Sequence, residues 1–128
     1  MILKMHQQAR VLLKQFTIPG IQTEKVGGRN QPWDQKVHAK VSAEFAAFTR
    51  PIQPFSYYEV ESVWHVFVQS FPRDVNNMRI KPVLDAITET KKLWTDDCIP
   101  HVRTVSRHAI PVAAVAQEQV EVLVYGVP

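Results

Sequence analysis

The sequence predicts an α/β (α+β) fold: a small mixed β-sheet of about four strands with two main helices packed on it, plus an N-terminal helical extension. Three observations predict it. Residues 57–69 (YYEVESVWHVFVQ) alternate sides as a strand does. Two stretches, 32–49 and 78–93, repeat their apolar residues at helical spacing. Two further strand-like runs, 101–112 and 119–127, close the chain. Helices alternating with strands point to helices layered on a small mixed sheet.

The elements follow in order. Residues 1–15 place Ile2, Leu3, Met5, Ala9, Leu12 and Leu13 at helical spacing, which predicts a short amphipathic helix. Phe16 to Ile21 predicts a short strand broken by Pro19 and Gly20. Gly27, Gly28, Asn30 and Pro32 then mark a loop. In the next helix Pro32 fits the first turn, and Val37, Val41, Phe45 and Phe48 share a face. Arg50-Pro51 stops it.

In the strand of residues 57–69, Tyr58, Val60, Ser62, Trp64, Val66 and Val68 point one way. Its later half is apolar on both sides, as in an interior strand. Phe71 to Asn77 is a polar loop, and the helix after it uses Pro82 in its first turn and Val83, Leu84, Ile87 and Leu93 as its stripe. Residues 94–100 form an acid-bearing turn, and residues 113–118 connect the last two strands.

Composition narrows the function classes. The chain of 128 residues is 45% hydrophobic and 21% charged, which suits one domain with one core. No stretch approaches the roughly 20 apolar residues of a membrane helix, and no signal-peptide pattern opens the chain, so the expectation is a cytoplasmic protein with no membrane partner. The one cysteine, Cys98, excludes an intramolecular disulfide framework. Gly27-Gly28 lacks the rest of a phosphate-binding loop, and no organic cofactor is expected. The net charge of +3 is unevenly spread: residues 1–50 hold eight Lys/Arg against three acids, residues 51–128 seven against nine. The basic half suits a polyanion, or is an ordinary solvated asymmetry.

Four of the five aspartates, Asp74, Asp85, Asp96 and Asp97, fall within 24 positions around the second helix. Gathered carboxylates are what a hard divalent cation takes, and such a cation activates water for phosphodiester hydrolysis. Lys81 stands nearby to neutralise charge building on a phosphate. Each residue also has a plainer reading: Asp74 as a helix cap, and Asp96-Asp97 as a solvated turn. His65 reads as a core or edge histidine, and Trp33, Trp64 and Trp94 as core residues.

The run Phe71-Pro-Arg-Asp-Val-Asn-Asn-Met-Arg-Ile-Lys-Pro-Val-Leu-Asp-Ala-Ile, followed by Leu93-Trp-Thr-Asp-Asp, resembles the RusA family of Holliday-junction resolvases, often carried by phages and prophages. The matching residues are Asp74, Asn76, Asn77, Lys81, Asp85-Ala86-Ile87 and Asp96-Asp97. The resemblance covers about a quarter of the chain. It implies a homodimer acting on four-way junction DNA in a bacterial cytoplasm or phage-infected cell, with Mg²⁺ or Mn²⁺, and paired symmetric nicks during recombination and repair. It makes Asp74 and Asp97 the expected metal ligands and catalytic acids, Asp96 a further ligand, Asp85 and Asn77 supporting residues, and Lys81 the catalytic lysine. Residues 16–128 would be the nuclease domain and residues 1–15 an addition to it.

Two features depart from the family pattern. Asn76 stands where the signature has a second acid, so it ligates through an uncharged amide oxygen or supports from behind. The lysine comes one residue late, which leaves Arg79 as the other basic candidate. The alternative expectation is a junction- or DNA-binding module with impaired catalysis.

Overall fold

The computed structural model describes residues 9–21, 31–49, 54–67, 80–95 and 101–128. Within them the elements are β1 (Val11–Pro19), α1 (Gln31–Ala46), β2 (Tyr57–Val66), α2 (Lys81–Thr90), β3 (Val102–Pro111), a 3-10 turn (Val115–Gln117) and β4 (Gln119–Val127).

The four strands form one mixed sheet in the order β1-β4-β2-β3. β4 lies antiparallel to both β1 and β2, and β2 lies parallel to β3. β1 and β2 therefore run the same way with β4 between them, so β1-α1-β2 is a split β-α-β unit. β2-α2-β3 is an adjacent one. Both crossovers step in the same direction across the sheet. Crossovers of one hand that step the same way place their helices on the same face, and α1 and α2 do share one core on one side.

That core is built from one side of each strand: Phe16 and Ile18 of β1, Val60, Trp64 and Val66 of β2, Val102 of β3, and Val120, Val122 and Val124 of β4. Val37, Val41 and Phe45 from α1 and Val83, Leu84 and Ile87 from α2 cover them. Trp33, Trp64 and Trp94 are all buried, as the sequence predicts. Trp64 sits at the centre with 1% of its surface exposed. Its indole Nε1–H donates to Ser62 Oγ at 2.9 Å, and that hydroxyl donates to the Ser106 carbonyl at 2.9 Å. The relay satisfies two buried polar groups and ties β2 to β3 at the core face.

One predicted element is corrected. Residues 11–15, expected at the end of an N-terminal helix, belong to β1, and the expected boundary between residues 15 and 16 falls inside that strand. The cause is a bulge. The β1-β4 register slips between Leu12 and Lys14, so Leu13 is an extra residue and packs against the core. The adjacent pair Leu12-Leu13 breaks the alternation of a strand and mimics helical spacing. Pairing with β4 decides the outcome. Residues 1–8 of the predicted extension lie outside the described residues.

The helices are shorter than their patterns. α2 begins at Lys81 rather than residue 78, with Pro82 in the first turn and Ile80 at the cap position. The cap is thus not Asp74. The helix stops at Lys91, which adopts the left-handed conformation (φ 57°, ψ 21°) and donates its N–H to the Thr88 carbonyl at 3.1 Å. Leu93 and Trp94 stay buried beyond the stop, and Trp94 Nε1–H donates to Thr88 Oγ1 at 2.7 Å. A left-handed non-glycine residue costs about 1–2 kcal/mol. Lys91→Gly is therefore expected to gain about 1 kcal/mol and raise the melting temperature by a few degrees; a thermal melt checks it, and an unchanged midpoint would mean the lysine chain compensates.

Ion pairs fasten the β1 side. Lys40 and Lys14 both reach Glu44, at 3.0 and 3.2 Å, tying β1 to α1. Hydrogen bonds from Lys40 and then Lys14 hold the Glu44 carboxyl below its ordinary 4.5. The resulting stabilisation is present above that value and is lost as pH falls through the lowered one.

Candidate functional site

Lys81 and Asp85 are the two expected site residues within the described structure. They stand one turn apart on α2, with Lys81 Nζ 3.0 Å from Asp85 Oδ1. Both lie on the solvent side of the helix, away from the buried Val83, Leu84 and Ile87, and the Lys81 side chain is 62% exposed. Helix electrostatics do not favour this placement. A cation in the first turn opposes the helix dipole, and Lys ahead of an acid at i,i+4 is the weaker orientation. An exposed pair of this kind contributes little to stability.

Asp74, Asn76, Asn77, Arg79, Asp96 and Asp97 lie outside the described residues. The residues that flank their segments belong to the described part of the chain. The segment bearing Asp74 leaves β2 at Phe67, whose N–H donates to Glu118 Oε2 at 2.9 Å, and enters α2 at Ile80, which packs on the core. The segment bearing Asp96 and Asp97 leaves at Thr95, next to Trp94, whose ring lies 5.2 Å from that of Tyr58. It returns at His101, whose carbonyl accepts the Tyr58 N–H at 2.7 Å.

Phe67 and Tyr58 mark opposite ends of β2. Nine residues of strand separate them by about 30 Å, and α2, with 10 residues, is a rod of about 15 Å between the two segments. From Ile80 the chain reaches back to Asp74 across at most about 20 Å, and from Thr95 forward to Asp97 across about 7 Å. Together these lengths exceed the rod, so they allow Asp74 and Asp97 to meet.

Among the described residues no group of three or more His, Cys, Asp or Glu is arranged to hold a metal ion. By chemistry the donor set of Asp74, Asn76, Asp96 and Asp97 is all oxygen and suits a hard divalent cation. The Asp85 carboxylate, by contrast, is engaged by Lys81.

Three polar pairings are not foreseen from the sequence. Glu118 is buried beside the exit of β2, where its side chain holds Phe67 and its carbonyl accepts the Gly20 N–H at 2.7 Å. His65 Nε2 lies 2.7 Å from Glu121 Oε2 on the sheet face opposite the helices. Arg10 crosses β4 on that face, its guanidinium 3.9 Å above the Tyr125 ring, to reach Glu59 at 3.3 Å and Glu61 at 3.0 Å. Each pairs residues about 50 positions or more apart, and only the strand register brings them together. No local motif announces them.

No family model matches the chain, and no curated protein matches it. No helix among the described residues is long and apolar enough to cross a membrane.

Proposed function

We propose that this chain is a metal-dependent endonuclease of RusA type, which resolves four-way DNA junctions by paired symmetric nicking in the cytoplasm. The observation that carries the reading is the run from Phe71 to Ile87 with Leu93 to Asp97, which resembles the resolvase signature in order and residue types apart from Asn76 and the one-residue shift of Lys81. Two features support it. The signature occupies the β2-α2-β3 crossover, where the described fold has a helix between two parallel strands. Lys81 sits exposed at the head of α2, a position that helix electrostatics alone do not explain.

On this reading Asp74 and Asp97 would hold Mg²⁺ or Mn²⁺, with Asp96 and Asn76 beside them. Such an ion, held there by these residues, would supply an activated water and charge stabilisation for the leaving oxygen. Lys81 places its ammonium against the charge that builds on the scissile phosphate, after exchanging its contact with Asp85 for one with DNA. Arg79 is the alternative for that role. Two symmetric nicks call for two sites related by a two-fold axis, hence a homodimer.

The test is a labelled synthetic four-way junction beside a linear duplex, in Mg²⁺ and in EDTA. The expected result is paired nicks on the junction in Mg²⁺ alone. A second reading, a junction-binding module without catalysis, is favoured by Asn76 in place of an acid. Junction-selective binding without nicks in Mg²⁺ or Mn²⁺ would establish it. Neither binding nor nicking would leave the resemblance without functional content. If Asn76 is a weakened ligand, Asn76→Asp lowers the Mg²⁺ concentration for half-maximal cleavage; an unchanged titration places Asn76 away from the ion.

A further inference from the structure

β3 is the outer strand of the sheet, and among the described residues nothing pairs with its far side. The phase of its ladder is readable. Val66 stands opposite Pro111, and its carbonyl accepts the N–H of Val112 at 2.9 Å. Residues in the same phase as Pro111, namely Val105, Arg107 and Ala109, therefore turn their own N–H and C=O groups outward. Pro111 fits this phase, since its missing N–H removes no ladder bond.

Beyond Val102 the strand is exposed except at Ser106 and Arg107, which are half-buried, with Val105 at 38% and Ile110 at 44%. It is also one-signed: residues 98–117 contain Arg103, Arg107, His101 and His108 and no acid. Arg103 is itself the extra residue of a bulge, because the register with β2 slips so that Tyr58 faces Val102 and Glu59 faces Thr104. Bulges at sheet edges re-aim side chains. Here the guanidinium is set 4.5 Å over the Tyr57 ring.

We propose that the outer edge of β3 is a docking track for the phosphate backbone of DNA, with Arg103 and Arg107 as its charged contacts and the outward N–H groups as further donors. The inference rests on the reading that this chain acts on DNA. Charge complementarity selects the occupant: a cationic strand without an acid suits a polyanion. A second copy of β3 is disfavoured, because antiparallel pairing centred on Val105 would set Arg103 of each copy opposite Arg107 of the other.

The experiment measures affinity of the full chain for a labelled junction and a duplex in EDTA, over a range of salt. Each phosphate contact contributes about 0.9 to the slope of log K against log salt. Arg103→Gln is expected to lower the slope by about 0.9, and the pair Arg103→Gln with Arg107→Gln by about 1.8, with melting temperatures held. Lys91→Gln, an equal loss of charge at the end of α2, leaves the slope in place. A double variant with the parental slope overturns the track while DNA binding stands. A parent that binds neither substrate overturns the DNA reading itself. A parental slope together with a dimer strengthened in the double variant, seen by sedimentation, gives the edge to a second copy and overturns the track.

Discussion

A Trp64→Ala variant loses about 3–5 kcal/mol of folding stability. Trp64 is almost wholly buried, its ring lies 6.3 Å from that of Trp33, and its indole N–H is the first member of the relay through Ser62 to Ser106. Truncation removes the largest fully buried side chain among the described residues and opens a cavity beneath both helices. Domains of this size hold only about 5–15 kcal/mol in all, so the variant is marginal at 37 °C. Trp64→Phe keeps much of the volume and loses the hydrogen bond, and is expected to cost less than half as much. The check is the urea midpoint of each variant at constant m. A Trp64→Ala loss under about 1 kcal/mol would mean that the two helices close over the gap.

The second large effect concerns the proposed chemistry. Asp74→Asn is expected to slow junction cleavage about a thousandfold, the consequence of several kcal/mol of lost metal-dependent stabilisation of the transition state. Junction affinity in EDTA is expected to stay within about threefold, since phosphate contacts supply most of it. Asp97→Asn should behave in the same way. Single-turnover cleavage beside a binding titration separates the two effects. Cleavage that survives both substitutions removes the metal assignment. Loss of binding together with cleavage would point instead to a folding defect, which a melt distinguishes.

The sequence made much of the fold legible because its strongest patterns coincide with burial. β2 is an alternation whose inner residues Val60, Ser62, Trp64 and Val66 are all buried, and it lies in the interior of the sheet, as its doubly apolar later half implies. β4 matches its expected limits of 119–127, and the stripe Val37, Val41 and Phe45 faces the core. What was not legible depends on partners far along the chain. Leu12-Leu13 reads as helical until β4 is present to impose a bulge. The end of α2 at Lys91 is set by Trp94 reaching back to Thr88, rather than by a glycine. For the candidate site, the residue types and their order were legible, and Lys81 and Asp85 do share one helical face. Whether Asp74 approaches Asp97 was not legible, because spacing along a chain does not determine where a crossover runs.

The position of β4 has a consequence for biosynthesis. It follows every other described element in the chain, yet it is the strand that joins β1 to β2, and Val11 pairs with Gly126. While the chain emerges from the ribosome, β1 has no neighbour to bond, and Val11, Leu12, Phe16 and Ile18 wait through the synthesis of more than a hundred residues. At about 5–20 residues per second that interval lasts several seconds or more. Folding of this sheet is thus a late event dominated by a distant pairing. A nascent chain halted before residue 119 lacks the strand that connects β1 to the rest, and is a natural client for a holding chaperone.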